Sequence, residues 1–90
     1  MNEDSITTRL AAHIAAAAET PLPAEVMLRA RLHLLDSLAA IVSGSRLKAG
    51  RLAAAFVAGE GGRAEACLPG TELVTTATLA AFANAMAAHA

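Results

Sequence analysis

The stretch that decides the fold opens with Leu22-Pro23-Ala24-Glu25-Val26 and closes with Ser43-Gly44-Ser45. Its spacing predicts one long helix over roughly 23–44. Pro23 suits the first helical position, because its φ is already set and it has no N–H to leave unpaired. Glu25 puts a negative charge in the first turn, at the positive end of the helix dipole. Gly44 is the residue expected to close the helix in a left-handed conformation. Between these ends Met27, Leu28, Leu32, Leu34, Leu35, Leu38, Ile41 and Val42 cover most of the circumference. The polar residues reduce to a thin line: Glu25, Arg29, His33, Asp36 with Ser37, and Ser43. A helix with so narrow a wet stripe is expected at the centre of its domain, with neighbours on several sides.

Working outward toward the N-terminus, Asp4 or Ser5 can cap a first helix over roughly 5–18. Ile6, Leu10, Ile14 and Ala17/Ala18 form its expected buried stripe. Thr20-Pro21-Leu22-Pro23 ends it, since a residue before proline is pushed out of α geometry. In the other direction, Ser45 is the expected cap of a third helix over roughly 46–58, carrying Leu47, Leu52, Ala55, Phe56 and Val57. Gly50 weakens that helix early and marks close packing. Gly59-Glu60-Gly61-Gly62 breaks it. Arg63 to Leu68 alternates polar and apolar and reads as a short extended stretch near 63–68, with no evident strand partner. Pro69-Gly70-Thr71 is a turn. Thr75 or Thr76 then caps a last helix over roughly 76–89, with Leu79, Phe82/Ala83 and Met86 as its apolar line. No Gly, Pro or basic last turn follows Met86, so the chain is expected to stop in mid-element. The expected fold class is all-α: about four helices in a single, incomplete helical domain over 1–90.

Composition narrows the class. Ninety residues make one domain at most, burying roughly 60–65% of the surface the unfolded chain exposes. The chain is 56% hydrophobic but 2% aromatic, and 25 residues are Ala. Alanine favours helix and lets helices approach closely, while burying little area itself. A net charge of −1 with a pI near 6.3 argues against a nucleic-acid partner, which calls for a basic patch. The one cysteine, Cys67, excludes an internal disulfide and fits a reducing compartment. Met1-Asn2-Glu3-Asp4 is acidic where a targeting segment is basic. Leu73 to Ala90 carries no formal charge, yet Ala dominates it and Thr75, Thr76, Thr78, Asn84 and His89 interrupt it. That falls short of the ~20 predominantly apolar residues of a membrane span. No membrane insertion and a soluble, cytoplasmic protein are expected.

The chemistry-bearing residues are few. Gly59-Glu60-Gly61-Gly62-Arg63-Ala64 matches G-x-G-x-x-G/A, but that fingerprint needs a strand before it and a helix after it. Here a helix leads in, so an interhelix loop is expected and no dinucleotide site. His13, His33 and His89 are candidate bases; none has the close spacing of a metal pair, so no metal site is expected. Glu25 and Asp36 lie about three helical turns apart, too far to act on one substrate atom. Ser43-Gly44-Ser45 lacks the strand-to-helix context of a nucleophile elbow. Arg46, Lys48 and Arg51 crowd a helix start, either as a solvated face or as a reach toward an anion. No catalytic residue emerges from these groups alone.

Taken in order, several stretches resemble the start of the MmgE/PrpD family, that of 2-methylcitrate dehydratase and its relatives. Leu22-Pro23-Ala24-Glu25-Val26 resembles the family's L-P-x-E-V opening. Leu34-Leu35-Asp36-Ser37-Leu38-Ala39, followed by Gly44-Ser45, resembles its L-L-D-S/T-x-G/A helix and small-residue stop. Leu68-Pro69-Gly70-Thr71 and then Ala80-Ala81-Phe82-Ala83-Asn84-Ala85-Met86-Ala87-Ala88-His89 resemble its A-A-x-x-N-G/A-x-x-x-H run. The resemblance covers about Leu10 to Ala90. Ala85 stands where the family commonly has Gly, and these ninety residues end before the position at which the family's acidic D-x-D-D-type motif follows its His.

The resemblance implies the N-terminal part of the helical domain of a longer lyase or epimerase, usually a homodimer. Its substrates are small polycarboxylates, handled by dehydration, decarboxylation or epimerisation without a required cofactor. Asn84 and His89 are then the active-site-adjacent residues, on the helix leading into that site. The ninety residues alone are expected to be scaffold without turnover. A homo-oligomer or a partner chain is expected. The alternative is a stand-alone helical oligomerisation or interaction module without catalysis, told apart by whether Leu79, Phe82 and Met86 stay uncovered.

Overall fold

The computed structural model describes residues 5–90. Its elements run α1 (Ile6–Ala17), α2 (Ala24–Gly44), α3 (Lys48–Glu60), β1 (Ala66–Cys67), β2 (Val74–Thr75) and α4 (Ala77–Ala88). The architecture is mainly α, with each helix boundary within two residues of the sequence expectation. Among the described residues no helix is long and apolar enough to cross a membrane. The chain divides into two compact units, one up to Ala30 and one from Arg31 to Ala90.

In the first unit Ser5 caps α1: its Oγ accepts from the Thr8 N–H at 3.1 Å. Asp4, the other expected cap, lies outside the described residues. The far end closes through Thr20, whose hydroxyl donates to the Ala16 carbonyl at 2.7 Å. Pro23 sits one position before α2, and its carbonyl accepts from the Met27 N–H at 3.0 Å. It is therefore the cap and not the first helical residue. The expected buried stripe of α1 is open to solvent: Ile6, Leu10 and Ile14 are all exposed, Ile6 at 82%.

The second unit is built around the last turn of α2. Gly44 is buried there, and a Cβ on it would fall onto the Ala87 carbonyl of α4. A Cβ on Gly50, in the first turn of α3, would likewise fall onto the Gly44 carbonyl. Gly44 has no positive φ, so its part is close approach, and the expected left-handed stop does not occur. Ser45 does not cap α3 either. Its hydroxyl donates back to the Val42 carbonyl at 2.6 Å, while Leu47 occupies the cap position without a side-chain bond.

The core lies between α3, α4 and the hairpin. Ala53, Val57, Leu68, Ala80 and Ala83 form it, with Ala54, Ala66, Leu73 and Leu79 packed alongside. Small residues face inward on both helices, Gly50, Ala53 and Val57 on α3 and Ala80, Ala83 and Ala87 on α4. The larger apolar residues Leu52, Phe56, Phe82 and Met86 remain exposed, and Phe82 and Met86 are thus uncovered in the free chain. Helices that meet on alanine and glycine come too close together to admit rings between them, so the rings are displaced to the rim. There Phe56 and Phe82 make an edge-to-face pair with centroids 6.0 Å apart, worth about 0.5–1.5 kcal/mol beyond the area it covers.

The extended stretch near 63–68 does find a partner. Ala66 pairs with Thr75 and Cys67 with Val74 in an antiparallel ladder. Leu68-Pro69-Gly70-Thr71 makes the reversal: the Thr71 N–H donates to the Leu68 carbonyl at 3.0 Å and Gly70 has φ +88. Pro followed by a positive-φ Gly is the pattern of a type II turn. The Thr71 hydroxyl donates to the Leu68 carbonyl at 2.8 Å and accepts from the Leu73 N–H at 3.1 Å.

α2 is not the enclosed central helix expected from its circumference. Gly44 is its one buried residue, and Leu28, Leu32, Leu34 and Leu35 are each more than half exposed. An apolar circumference provides surface for neighbours; among the described residues only the last turn has them.

Two glycine substitutions test this packing by thermal unfolding. Gly44→Ala is expected to destabilise the chain by about 1–3 kcal/mol, because backbone atoms of Ala87 cannot move aside like a side chain. Gly59→Ala meets nothing within 4 Å and lies inside α3. It is expected to raise stability by about 0.5–1 kcal/mol through helix propensity.

Candidate functional site

The two residues singled out near the end of the chain share α4 but do different work. Asn84 is half-buried, and its Nδ2 donates to the Cys67 carbonyl at 3.2 Å, tying α4 to β1. His89 caps α4 from an exposed position, with its backbone N–H directed at the Ala85 and Ala87 carbonyls. Five positions apart, they point about 140° from each other around the helix axis. They do not converge on one point. Asn84 holds structure, while the His89 imidazole is open to solvent.

The start of α4 is positioned by two side chains. Thr76, not Thr75, is the cap: its hydroxyl accepts from the Leu79 N–H at 3.2 Å. Glu65 Oε1 accepts from the Ala77 N–H at 3.2 Å, which places a carboxylate at the positive end of the helix. Thr75 is buried instead, and its hydroxyl donates to the Gly61 carbonyl at 3.3 Å. Sequence reasoning missed Glu65 because it stands twelve positions from its partner, where no local spacing rule applies.

The remaining candidates stay apart. His13 lines an open cleft of about 200 Å³ with Ala16, Ala17, Thr20 and Leu22, and Thr20 is the other polar side chain there. His33, Glu25 and Asp36 are exposed on α2. Arg46, Lys48 and Arg51 are exposed around the start of α3. Gly61 and Gly62, at φ +69 and +104, follow directly on α3, and the next helix begins only at Ala77. The dinucleotide-like string is thus the last two residues of α3 and the loop that follows it, with a helix leading in as expected. Among the described residues no three His, Cys, Asp or Glu side chains gather closely enough to hold a metal ion. Cys67 is free and exposed. A second open groove, about 360 Å³, runs along Leu52, Phe56, Phe82 and Met86 with almost wholly apolar walls. It offers contact area and no group for proton transfer.

Replacing Asn84 separates its structural part from a chemical one. Asn84→Ala is expected to cost about 0.5–1.5 kcal/mol, the net worth of one hydrogen bond. Amide exchange should accelerate at Glu65 and Leu68, whose N–H groups hold the hairpin. His89→Ala is expected to leave both readouts unchanged.

The model of the MmgE/PrpD N-terminal domain matches residues 8–90. No curated protein and no solved structure shows a significant match to the chain. The family match spans nearly all of the sequence, including α2, the 68–71 turn and α4. The ordered motifs and the match agree: this chain belongs to the MmgE/PrpD family and carries its N-terminal domain.

Proposed function

We propose that the chain is the N-terminal helical scaffold of a 2-methylcitrate-dehydratase-like lyase or isomerase acting on small polycarboxylates. The observation that carries this reading is α2: a helix of 21 residues, within the matched range, whose apolar side chains stand in solvent and whose last turn alone is packed. Exposed apolar surface on this scale is a surface to be covered. In the complete enzyme α2 supports the domain and α4 leads toward the site, with His89 at its end. The chemistry such a site must perform is proton removal beside a carboxylate, which takes a poised base and cationic groups for the developing charge. Those groups come from outside these ninety residues. A cytoplasmic location and a homodimeric enzyme belong to the same reading.

A second reading draws on the Val57-centred core, which the second unit forms from its own residues. A chain with a core of its own can serve as a helical interaction module without catalysis.

Two measurements divide these readings. The pure chain is offered 2-methylcitrate, and the ultraviolet absorbance of a newly formed double bond is followed; no turnover is expected, and turnover would end the scaffold reading. Sedimentation and thermal melting then distinguish scaffold from module. A scaffold is expected to self-associate without a defined stoichiometry and to bind an apolar dye. A discrete oligomer with one cooperative transition favours the module.

A further inference from the structure

Arg31 breaks the pattern of α2. Three, four, seven and eleven positions after it stand Leu34, Leu35, Leu38 and Val42, the spacings that place side chains on one helical face. All four are exposed, Leu34 at 61% and Leu35 at 64%. The polar line of α2 runs elsewhere: Asp36 is five positions from Arg31, about 140° around the axis, and Glu25 six, about 120°. Neither carboxylate of α2 shares the Arg31 face. Among the described residues Arg31 has no ion-pair or hydrogen-bond partner.

A guanidinium cannot shed its charge, so a wholly apolar cover over this face would bury it unpaired, at heavy cost. The element that covers Leu34, Leu35 and Leu38 must bring an anion opposite Arg31. The planar fork of arginine matches a carboxylate with two parallel hydrogen bonds. From Arg31 to Val42 the stripe is about 16 Å long at 1.5 Å per residue, and a second helix laid along it presents matching spacing.

A second copy of this chain does not supply such an element. α1 and α4 contain no acidic residue, and α3 has Glu60 only as its last residue. α2 keeps its own two acids off its apolar face.

We infer that the Arg31 face of α2 docks an apolar helix from another polypeptide segment, one that carries an Asp or Glu within its own apolar stripe. This names the partner chemistry of the scaffold and rests on that reading.

The test uses two synthetic helical peptides of about 15 residues, long enough to cover the stripe at 1.5 Å per residue. Both carry a leucine stripe; one has Glu at its centre and the other Lys. Their binding to the full chain is followed by fluorescence anisotropy of a labelled terminus. The Glu peptide is expected to bind at least about tenfold more tightly. On an Arg31→Glu chain the preference should invert, and on Arg31→Lys it should keep its sign with a smaller ratio. Circular dichroism checks that both variants retain the helix content of the parent. Equal affinity for the two peptides overturns the inference while leaving the apolar face, and the scaffold reading, intact. A preference unmoved by Arg31→Glu overturns it too, by placing the charge effect elsewhere. Binding of neither peptide overturns both the inference and the covered-face premise beneath it.

Discussion

Backbone contact at the end of α2 is the constraint on which the second unit depends. Gly44 meets the Ala87 carbonyl, Gly50 meets the Gly44 carbonyl, and Gly70 meets Val42 and Ser45. Three elements, α3, α4 and the hairpin turn, are thereby set against one helical turn. Each contact exists because a side chain is missing. The interior is correspondingly shallow: alanines line α3 and α4, and Val57 is the largest side chain fully buried. Alanine contributes little hydrophobic area, so close approach and satisfied polar groups do more of the specifying. The turn at Thr71, the Thr76 and Glu65 caps and the Asn84 bridge all serve that end.

The same geometry decides what is left outside. Helices that touch through glycine and alanine exclude leucine and phenylalanine from between them. The chain's large apolar residues therefore gather on the α3–α4 rim and along α2. The proposed scaffold reading accounts for such surfaces: helices that serve a larger assembly keep apolar residues for contacts that they do not make by themselves. The exposed α2 stripe, with one arginine set into it, is a surface with both area and a charge requirement. In the proposed scaffold reading, that links the fold to function through packing, with the chemistry supplied by other residues.

Much of this was legible from the residues. Periodicity and capping located all four helices, because Ser5, Thr76, the Pro21–Pro23 segment and Gly61-Gly62 act locally. The family was legible in the ordered motifs, since each falls on an element that the fold keeps. Burial was legible only in part. Apolar spacing marks Val57 and Ala83, which the structure buries, together with Ile6, Leu10, Leu52 and Phe56, which it leaves exposed. The choice depends on how closely two helices approach, which no single helix records. Local sequence marks Gly44 as a conformational stop, whereas its part is a contact, a distinction carried by Ala87 forty-three positions away. The second strand escaped because two residues, Val74 and Thr75, are too few for a period. Arg31 sits among leucines, off the polar line, where no spacing rule marks it. Of the two residues expected near the active site, Asn84 has a structural bond and His89 none, and only the three-dimensional pairing with Cys67 separates them.

The most direct measurement is methyl NMR of the full chain with a soluble paramagnetic agent, comparing relaxation at Leu34, Leu35 and Leu38 with that at Val57 and Leu68. If α2 offers an open face beside a small closed core, the three α2 leucines relax as surface groups while Val57 and Leu68 are shielded. Measured at a dilution where sedimentation shows a monomer, shielding of the α2 leucines equal to that of Val57 would contradict it, and would mean that the ninety residues cover their own longest helix.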